Sequence, residues 1–394
     1  MRPAGMLASA FALWLALLGA MASAAASAQP SAATDAPSAP GVSAAASVPT
    51  ATASEPTAAA ASPAAATPAA GTVAPPQATS ASATMPSASP TGAASAPPGL
   101  APNDAPALAP IVCPPAIEPV AAPTPPVDRG LLWRLTRDGR RSYLYGTLHV
   151  GKPAWRLFGP RIAAAWRDTD VLALELDPTD PAVMAALSLT PPAPPLPVAL
   201  RARLAAAVRQ ACLGAAALAA LHPVMQATTL TILDARWLGL DPSYSMETLL
   251  AERAHSAHRR IFSLESAELQ MATLVPADAH EVLVLVDQAL TQLADHTSRR
   301  VLARLVAAWE QGDLTALEHY DEWCECATGD DDRAFMRRLN DERNPHLAER
   351  ISALARQGRR VFAAVGVLHM TGPQALPKLL AARGFRVERL KLAP

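Results

Sequence analysis

From Gln29 to about Pro126 the chain is almost entirely alanine, proline, serine and threonine, with no aromatic residue and only Asp35, Glu55, Asp104 and Glu118 charged. Such a stretch cannot bury enough apolar area to offset the entropy of ordering it, so residues 29–126 are expected to be a disordered, semi-stiff spacer. At about 3.1 Å per residue in polyproline II form, its fully extended reach is on the order of 300 Å. Any packed fold must therefore come from residues 127–394, a length that suits one large domain or two intimate ones. The overall hydrophobic content of 51% is inflated by alanine outside that region. Residues 127–394 are near neutral and show no basic stripe interleaved with aromatics, which argues against nucleic acid as a partner.

Ahead of the spacer, Met1-Arg2 precede an apolar stretch from Met6 to about Met21, followed by small residues ending in Ala26-Ser27-Ala28. That order is a secretory signal, residues 1–28, with cleavage expected after Ala28. A membrane enters only if the leader stays uncleaved, because the apolar run is then long enough to act as an anchor. The expected location is outside the cytoplasm, periplasmic or secreted, where disulfides are permitted. Cys113, Cys212, Cys324 and Cys326 allow three pairings. Cys324-Glu325-Cys326 leaves little loop for an internal bond, so pairing with Cys212 or Cys113 is expected. No second cysteine pair completes a metal set with His319.

Within 127–394, Leu131 to Thr136 and Ser142 to Leu148 read as strands joined by a hairpin turn at Asp138-Gly139. Pro160 to Arg167 reads as a helix, and Val171 to Leu176 as a strand buried on both faces. Pro181 to Leu240 reads as a helical insertion. Met246 to His258 continues helical, Arg260 to Glu265 is a short strand, and long helices are expected over Ala277 to Gln311 and Leu314 to Glu322. Asp330-Asp331-Asp332 read as the cap of a further helix, since carboxylates at a helix start meet free amides and the positive dipole end. A calcium loop would need a glycine and a terminal glutamate that the spacing lacks. Strand Val361 to Val367, helix Leu376 to Ala382 and strand Arg386 to Leu390 close the chain. The expected class is α+β (α/β-like), a central mixed sheet flanked by helices.

In layered folds of this kind ligands bind beyond the carboxyl ends of the strands. That rule selects His149, Glu175, Glu265 and His369. G-x-L-H occurs twice, at Gly146 to His149 and at Gly366 to His369, each time closing an apolar strand. One such histidine is ordinarily satisfied by a backbone carbonyl; two in equivalent places point to a shared site. Glu175 and Glu265 each end an otherwise apolar run. A carboxylate buried there needs a cation or hydrogen-bond donors, which histidine, arginine or a metal can supply. Glu342, Arg343 and Asn344 add a carboxylate, a fixed cation and an amide, suited to an anion clamp or to supporting a metal ligand. His255 and His258 read as a solvated helix end, and Trp309 and Trp323 as packing residues.

The ordered series Y-L-Y-G-T-L-H (Tyr143 to His149), L-E-L-D (Leu174 to Asp177), G-L-D-P (Gly239 to Pro242), S-L-E-S-A-E-L-Q (Ser263 to Gln270), E-R-N (Glu342 to Asn344) and V-G-V-L-H (Val365 to His369) resembles the TraB/GumN family. That family includes the Tiki metalloproteases and looks related to erythromycin esterase and ChaN-like proteins. The resemblance implies a central sheet with a site built from the paired histidines and the strand-end glutamates. It also implies a peptidase-type activity dependent on manganese or cobalt. On that reading His149, His369, Glu175 and Glu265 hold a divalent transition metal (manganese, cobalt or zinc), and Glu175, Glu265, Glu342, Arg343 and Asn344 form the catalytic set. Pro345, which follows E-R-N here, departs from the pattern and bears on how Arg343 points.

Three functions follow as expectations. The first is a metal-dependent, peptidase-like hydrolase acting on a peptide or other small substrate in the cell envelope, with metal-bound water, a glutamate base and Arg343 steadying the oxyanion. The second is a metal-independent, esterase-like hydrolase with His149 as base. The third is a non-catalytic haem- or metal-binding protein, or one associated with envelope polysaccharide. H-E-x-x-H, G-x-S-x-G, a Walker A loop and G-x-G-x-x-G are all absent from the sequence.

Overall fold

The computed structural model describes residues 111–118, 125–189, 191–326 and 329–392. The expected signal segment, 1–28, and most of the expected spacer lie outside the described residues.

The Asp138-Gly139 pair takes left-handed φ values of 49° and 72°, the geometry a two-residue hairpin turn requires. It joins β1 (Leu131–Arg137) to β2 (Arg140–Thr147) as an antiparallel pair. Helix α1 (Pro160–Arg167) follows, its first amides capped from a distance by Asp128, which accepts from Arg161 N at 3.0 Å and Ile162 N at 3.1 Å. Strand β3 (Val171–Leu174) is buried along its whole length. The helical insertion holds α2 (Pro181–Leu187), α3 (Val198–Gln210) and α4 (Pro223–Leu233).

Next come α5 (Met246–Ser256), β4 (Ile261–Ser263), α6 (Ala267–Leu274), α7 (Ala279–Ala294), α8 (Thr297–Glu310) and the short α9 (Leu314–Glu318) and α10 (Tyr320–Trp323). Helix α11 (Asp330–Leu339) starts on the three aspartates, and Asp332 accepts from Gly329 N at 3.1 Å, the capping role the sequence suggests. The chain ends with α12 (Asn344–Arg356), β5 (Val361–Gly366), α13 (Leu376–Ala382) and β6 (Arg386–Leu390).

The six strands form one mixed sheet in the order β4-β3-β5-β2-β1-β6. The four strands β4, β3, β5 and β2 are mutually parallel, while β1 runs antiparallel to both β2 and β6. This is the α+β fold expected. β5, Val-Phe-Ala-Ala-Val-Gly, is wholly buried, and its Ala363 and Ala364 are too small to hold the flanking helices away. Trp309 on α8 is fully buried, donates its indole N–H to Gly146 O at 2.8 Å and stacks at 4.8 Å on Trp155. It packs the sheet, as a buried tryptophan with a satisfied N–H should.

The cysteines correct one expectation. Cys324 bonds Cys326, with Cα atoms 5.0 Å apart, and Cys113 bonds Cys212. Glu325 between the first pair takes φ of 55°, and that left-handed turn draws the two Cα atoms in to 5.0 Å, closer than the i to i+2 spacing of an extended chain. Cys113 lies in residues 111–118, which run without helix or strand and are tied by this bond to the end of α3. Among the described residues no single helix is long and apolar enough to cross a membrane.

Candidate active site

Register places the site. Gly146 of β2 lies opposite Val365 of β5, and Thr147 opposite Gly366, so the two G-x-L-H segments leave the sheet side by side. On the other flank of β5, Leu174 of β3 pairs with Ala364, and Ser263 of β4 pairs with Leu174. Along the carboxyl edge the four parallel strands therefore deliver Glu265, Glu175, His369 and His149 in that order. Glu175 locks this edge, because its Oε1 accepts from Gly366 N at 2.7 Å and its carbonyl accepts from Glu265 N at 3.0 Å.

Arg343 enters from the N-cap of α12. Pro345 is the second residue of that helix, where a missing N–H costs no intrahelical bond, so it starts the helix and leaves Arg343 aimed inward. The guanidinium is fully engaged. Nε donates to Glu265 Oε1 at 2.8 Å, and Nη2 to Glu175 Oε2 at 2.7 Å and to Glu265 Oε2. Nη1 donates to Leu339 O at 3.0 Å and to His369 Nε2 at 3.1 Å. Five N–H groups meet five acceptors, the whole capacity of an arginine.

His369 is correspondingly fixed. Its Nδ1–H donates to Asn344 Oδ1 at 2.6 Å, while Asn344 Nδ2 donates to the carbonyls of His369 at 3.3 Å and Gln374 at 2.9 Å. The lone pair on Nε2 faces Arg343. Burial and the adjacent Arg343 charge together hold His369 well below the ordinary histidine range, so it is neutral. For Arg343, burial acts downward but the charges of Glu175 and Glu265 prevail and raise it.

This arrangement bears on the expected metal set. Arg343 spends its donors on Glu175, Glu265 and His369, three of the four expected ligands, and its guanidinium stands between them. The donor set does not fit an ion as a unit. Among the described residues no group of three or more histidine, cysteine or acidic side chains is placed to hold one. In this arrangement each N–H of Arg343 already has an acceptor, and an oxyanion role would require it to release one of them. Glu342, also expected in the catalytic set, is exposed, because the chain entering α12 turns Arg343 and Asn344 inward and leaves the residue before them on the solvent side.

His149 has a different partner, one the sequence reading did not single out. Its Nδ1 lies 3.0 Å from Glu247 Oε1, which also accepts from Thr147 Oγ1. Glu247 belongs to the first turn of α5, whose position is set twice. Met246 N donates to Leu148 O at 3.1 Å, and Gly151 and Asp241 exchange backbone bonds of 3.1 and 2.9 Å. A Cβ on Gly151 would lie 1.8 Å from Tyr244 O, so only glycine permits that approach. Asp241, of G-L-D-P, anchors the loop by accepting from Ser243 N and Arg236 Nε.

Burial draws His149 downward, but the charge and hydrogen bond of Glu247, with the charge of Glu175, lift it above the ordinary histidine value. Glu247, pushed up by burial, is pulled lower overall by His149 and Thr147. His149 Nε2 and Glu247 Oε2 are buried side-chain atoms without a hydrogen-bond partner. The side chains of His149, Glu247, Arg343, Glu175, Glu265 and His369 are all 0 to 7% exposed. Glu247 left one trace in the sequence: it falls in helical register with Leu250, Ala251 and Ala254, each fully buried, so a carboxylate stands on the inward face.

A family model described as TraB/PrgY/gumN family matches residues 131–389. The uncharacterized protein YbaP of Shigella flexneri is 27% identical over 255 residues, covering 61% of this chain and 88% of its own length. The uncharacterized protein YbaP of Escherichia coli (strain K12) is 30% identical over 162 residues, covering 40% of this chain and 53% of its own. No solved structure matches the chain.

Proposed function

The chain belongs to the TraB/PrgY/gumN family, and from that premise and the site geometry we propose that it is a hydrolase whose general base is His149, oriented and made more basic by Glu247. The observation that carries this is a buried imidazole with one nitrogen on a carboxylate and the other, Nε2, unpartnered. That is the nucleophile-activating half of a triad: the carboxylate selects the ring orientation and stabilises the imidazolium formed when Nε2 takes a proton from water. Arg343 holds Glu175, Glu265 and His369 as a rigid floor beside it, in line with the near-attack positioning that hydrolysis requires.

A metal-assisted hydrolase is the second reading, favoured by the two unpartnered buried atoms, His149 Nε2 and Glu247 Oε2. Peptide and ester substrate panels assayed on the purified protein test both. The first reading expects His149→Ala to lose roughly 10²- to 10⁴-fold in rate, with wild-type activity untouched by chelation. Full activity of His149→Ala would sink it, whereas bound metal together with chelator-sensitive activity would replace it with the second.

A further inference from the structure

The two disulfides stand in opposite surroundings. Cys324 and Cys326 are wholly buried, whereas Cys113 and Cys212 are both exposed. Thiol–disulfide exchange requires a thiolate to reach a sulfur, so access alone separates the two bonds. Cys212 also fills a position that helix geometry does not reserve for it. Helix α3 closes with Cys212 N donating to Arg209 O at 2.9 Å and Leu213 N to Val208 O at 3.2 Å, the paired bonds that end a helix through one left-handed residue. That residue is Cys212, at φ of 56°, where glycine or asparagine is usual. What the cysteine adds at this turn is its bond to Cys113.

The bond holds down a strap. Residues 111–118 lie outside any helix or strand, and among the described residues none forms a hydrogen bond with them. Ile111 and Val112 are 51% and 70% exposed, and no strap residue belongs to the core. The strap walls two cavities. One, of about 370 Å³, has Val112 and Pro114 among its lining together with Trp237 and Arg299. The other, of about 460 Å³, is lined by both cysteines and by Arg236 and Tyr244. Opening the bond therefore removes a wall beside Trp237 and leaves the sheet and its core packing in place.

We propose that Cys113–Cys212 is a thiol–disulfide exchange site, a clasp that a dithiol reductant opens to free the strap from the end of α3 while Cys324–Cys326 stays shut. One thiolate of the reductant attacks a clasp sulfur. The S–S bond breaks, a mixed disulfide forms, and the other clasp cysteine leaves as a thiolate and takes up a proton. The second thiol of the reductant then attacks the mixed disulfide and releases the remaining cysteine. The clasp gains two electrons and two protons, and the dithiol is oxidised to a disulfide.

Trapping on the intact, folded protein tests this. Dithiothreitol is added, samples are alkylated with iodoacetamide at intervals, and the labelled peptides are identified by mass. Cys113 and Cys212 should be labelled at least about ten-fold faster than Cys324 and Cys326, because the buried pair must wait for local opening. The same reduction should raise acrylamide quenching of the tryptophan fluorescence, and the increase should be absent from Trp237→Phe. Cys113→Ser combined with Cys212→Ser should show the raised quenching without reductant and respond no further to it. Should that double variant fail to fold, labelling and quenching of the wild type decide alone. Equal labelling of the four cysteines, earlier labelling of Cys324 and Cys326, or an opened clasp with unchanged quenching at Trp237 would overturn the proposal. No turnover is measured, so the result stands or falls separately from the hydrolase reading.

Discussion

At the scale of single residues the central figure is Arg343. It is buried with two carboxylates and a neutral imidazole arranged about it, and all five donors are used. Removing one member of such a set is costly because the others stay buried without a counter-charge. Arg343→Met, which keeps much of the volume, should lower stability by about 3–5 kcal/mol, read as a shift in the urea midpoint. A loss under about 1 kcal/mol would mean that the carboxylates are satisfied some other way. His149, His369, Glu175 and Glu265 could be picked out because each ends or follows an apolar run, whereas Arg343 and Asn344 rested on the short E-R-N motif alone. Glu247 was not, because its role depends on which strand end α5 docks against. That docking is a long-range backbone contact between Leu148 and Met246, which no local pattern records. For Arg343, a cation near carboxylates says nothing, in sequence, about how many of its donors are already taken.

Elements matter here mainly as aiming devices. The parallel block β4-β3-β5-β2 presents four strand ends in one row, and short apolar runs ending in glutamate or histidine were enough to expect that. What aims Glu247 is the contact between the Gly151 loop and the G-L-D-P segment. Gly151→Ala would press a methyl onto Tyr244 O and force the loop, and with it the start of α5, away from β2. Overpacking of this kind costs typically about 1–3 kcal/mol. The more diagnostic outcome is local: NMR titration should show His149 lowered in Gly151→Ala relative to wild type, as Glu247 withdraws. A destabilised variant with an unchanged His149 titration would show that α5 is held by its other contacts. The C-x-C disulfide belongs to this scale as well, for it depends on one left-handed residue, Glu325, whose conformation the sequence does not announce.

For the whole molecule, the two histidines act on stability in opposite directions. His149 is raised in the folded state by Glu247, in spite of burial. The stability it contributes is therefore complete below the unfolded histidine value of about 6.5 and is lost as pH rises through its folded value. His369 is lowered by burial and by Arg343. Between its folded value and about 6.5 the unfolded chain binds a proton that the folded chain refuses, so stability falls as pH drops through that window. Glu247, also lowered, deepens the acid loss once pH falls below its unfolded value. Together these give a stability dome with its top near pH 6.5, measurable as the free energy of urea unfolding at pH 5, 6.5 and 8. Other ionisable groups contribute a background, so the decisive quantity is the difference from Glu247→Gln. That variant removes the charge that lifts His149, and the alkaline slope should flatten while the acid slope set by His369 persists. If wild type and Glu247→Gln fall in parallel from pH 6.5 to 8, then Glu247 does not raise the proton affinity of His149, and the base assigned to this site loses its electrostatic support.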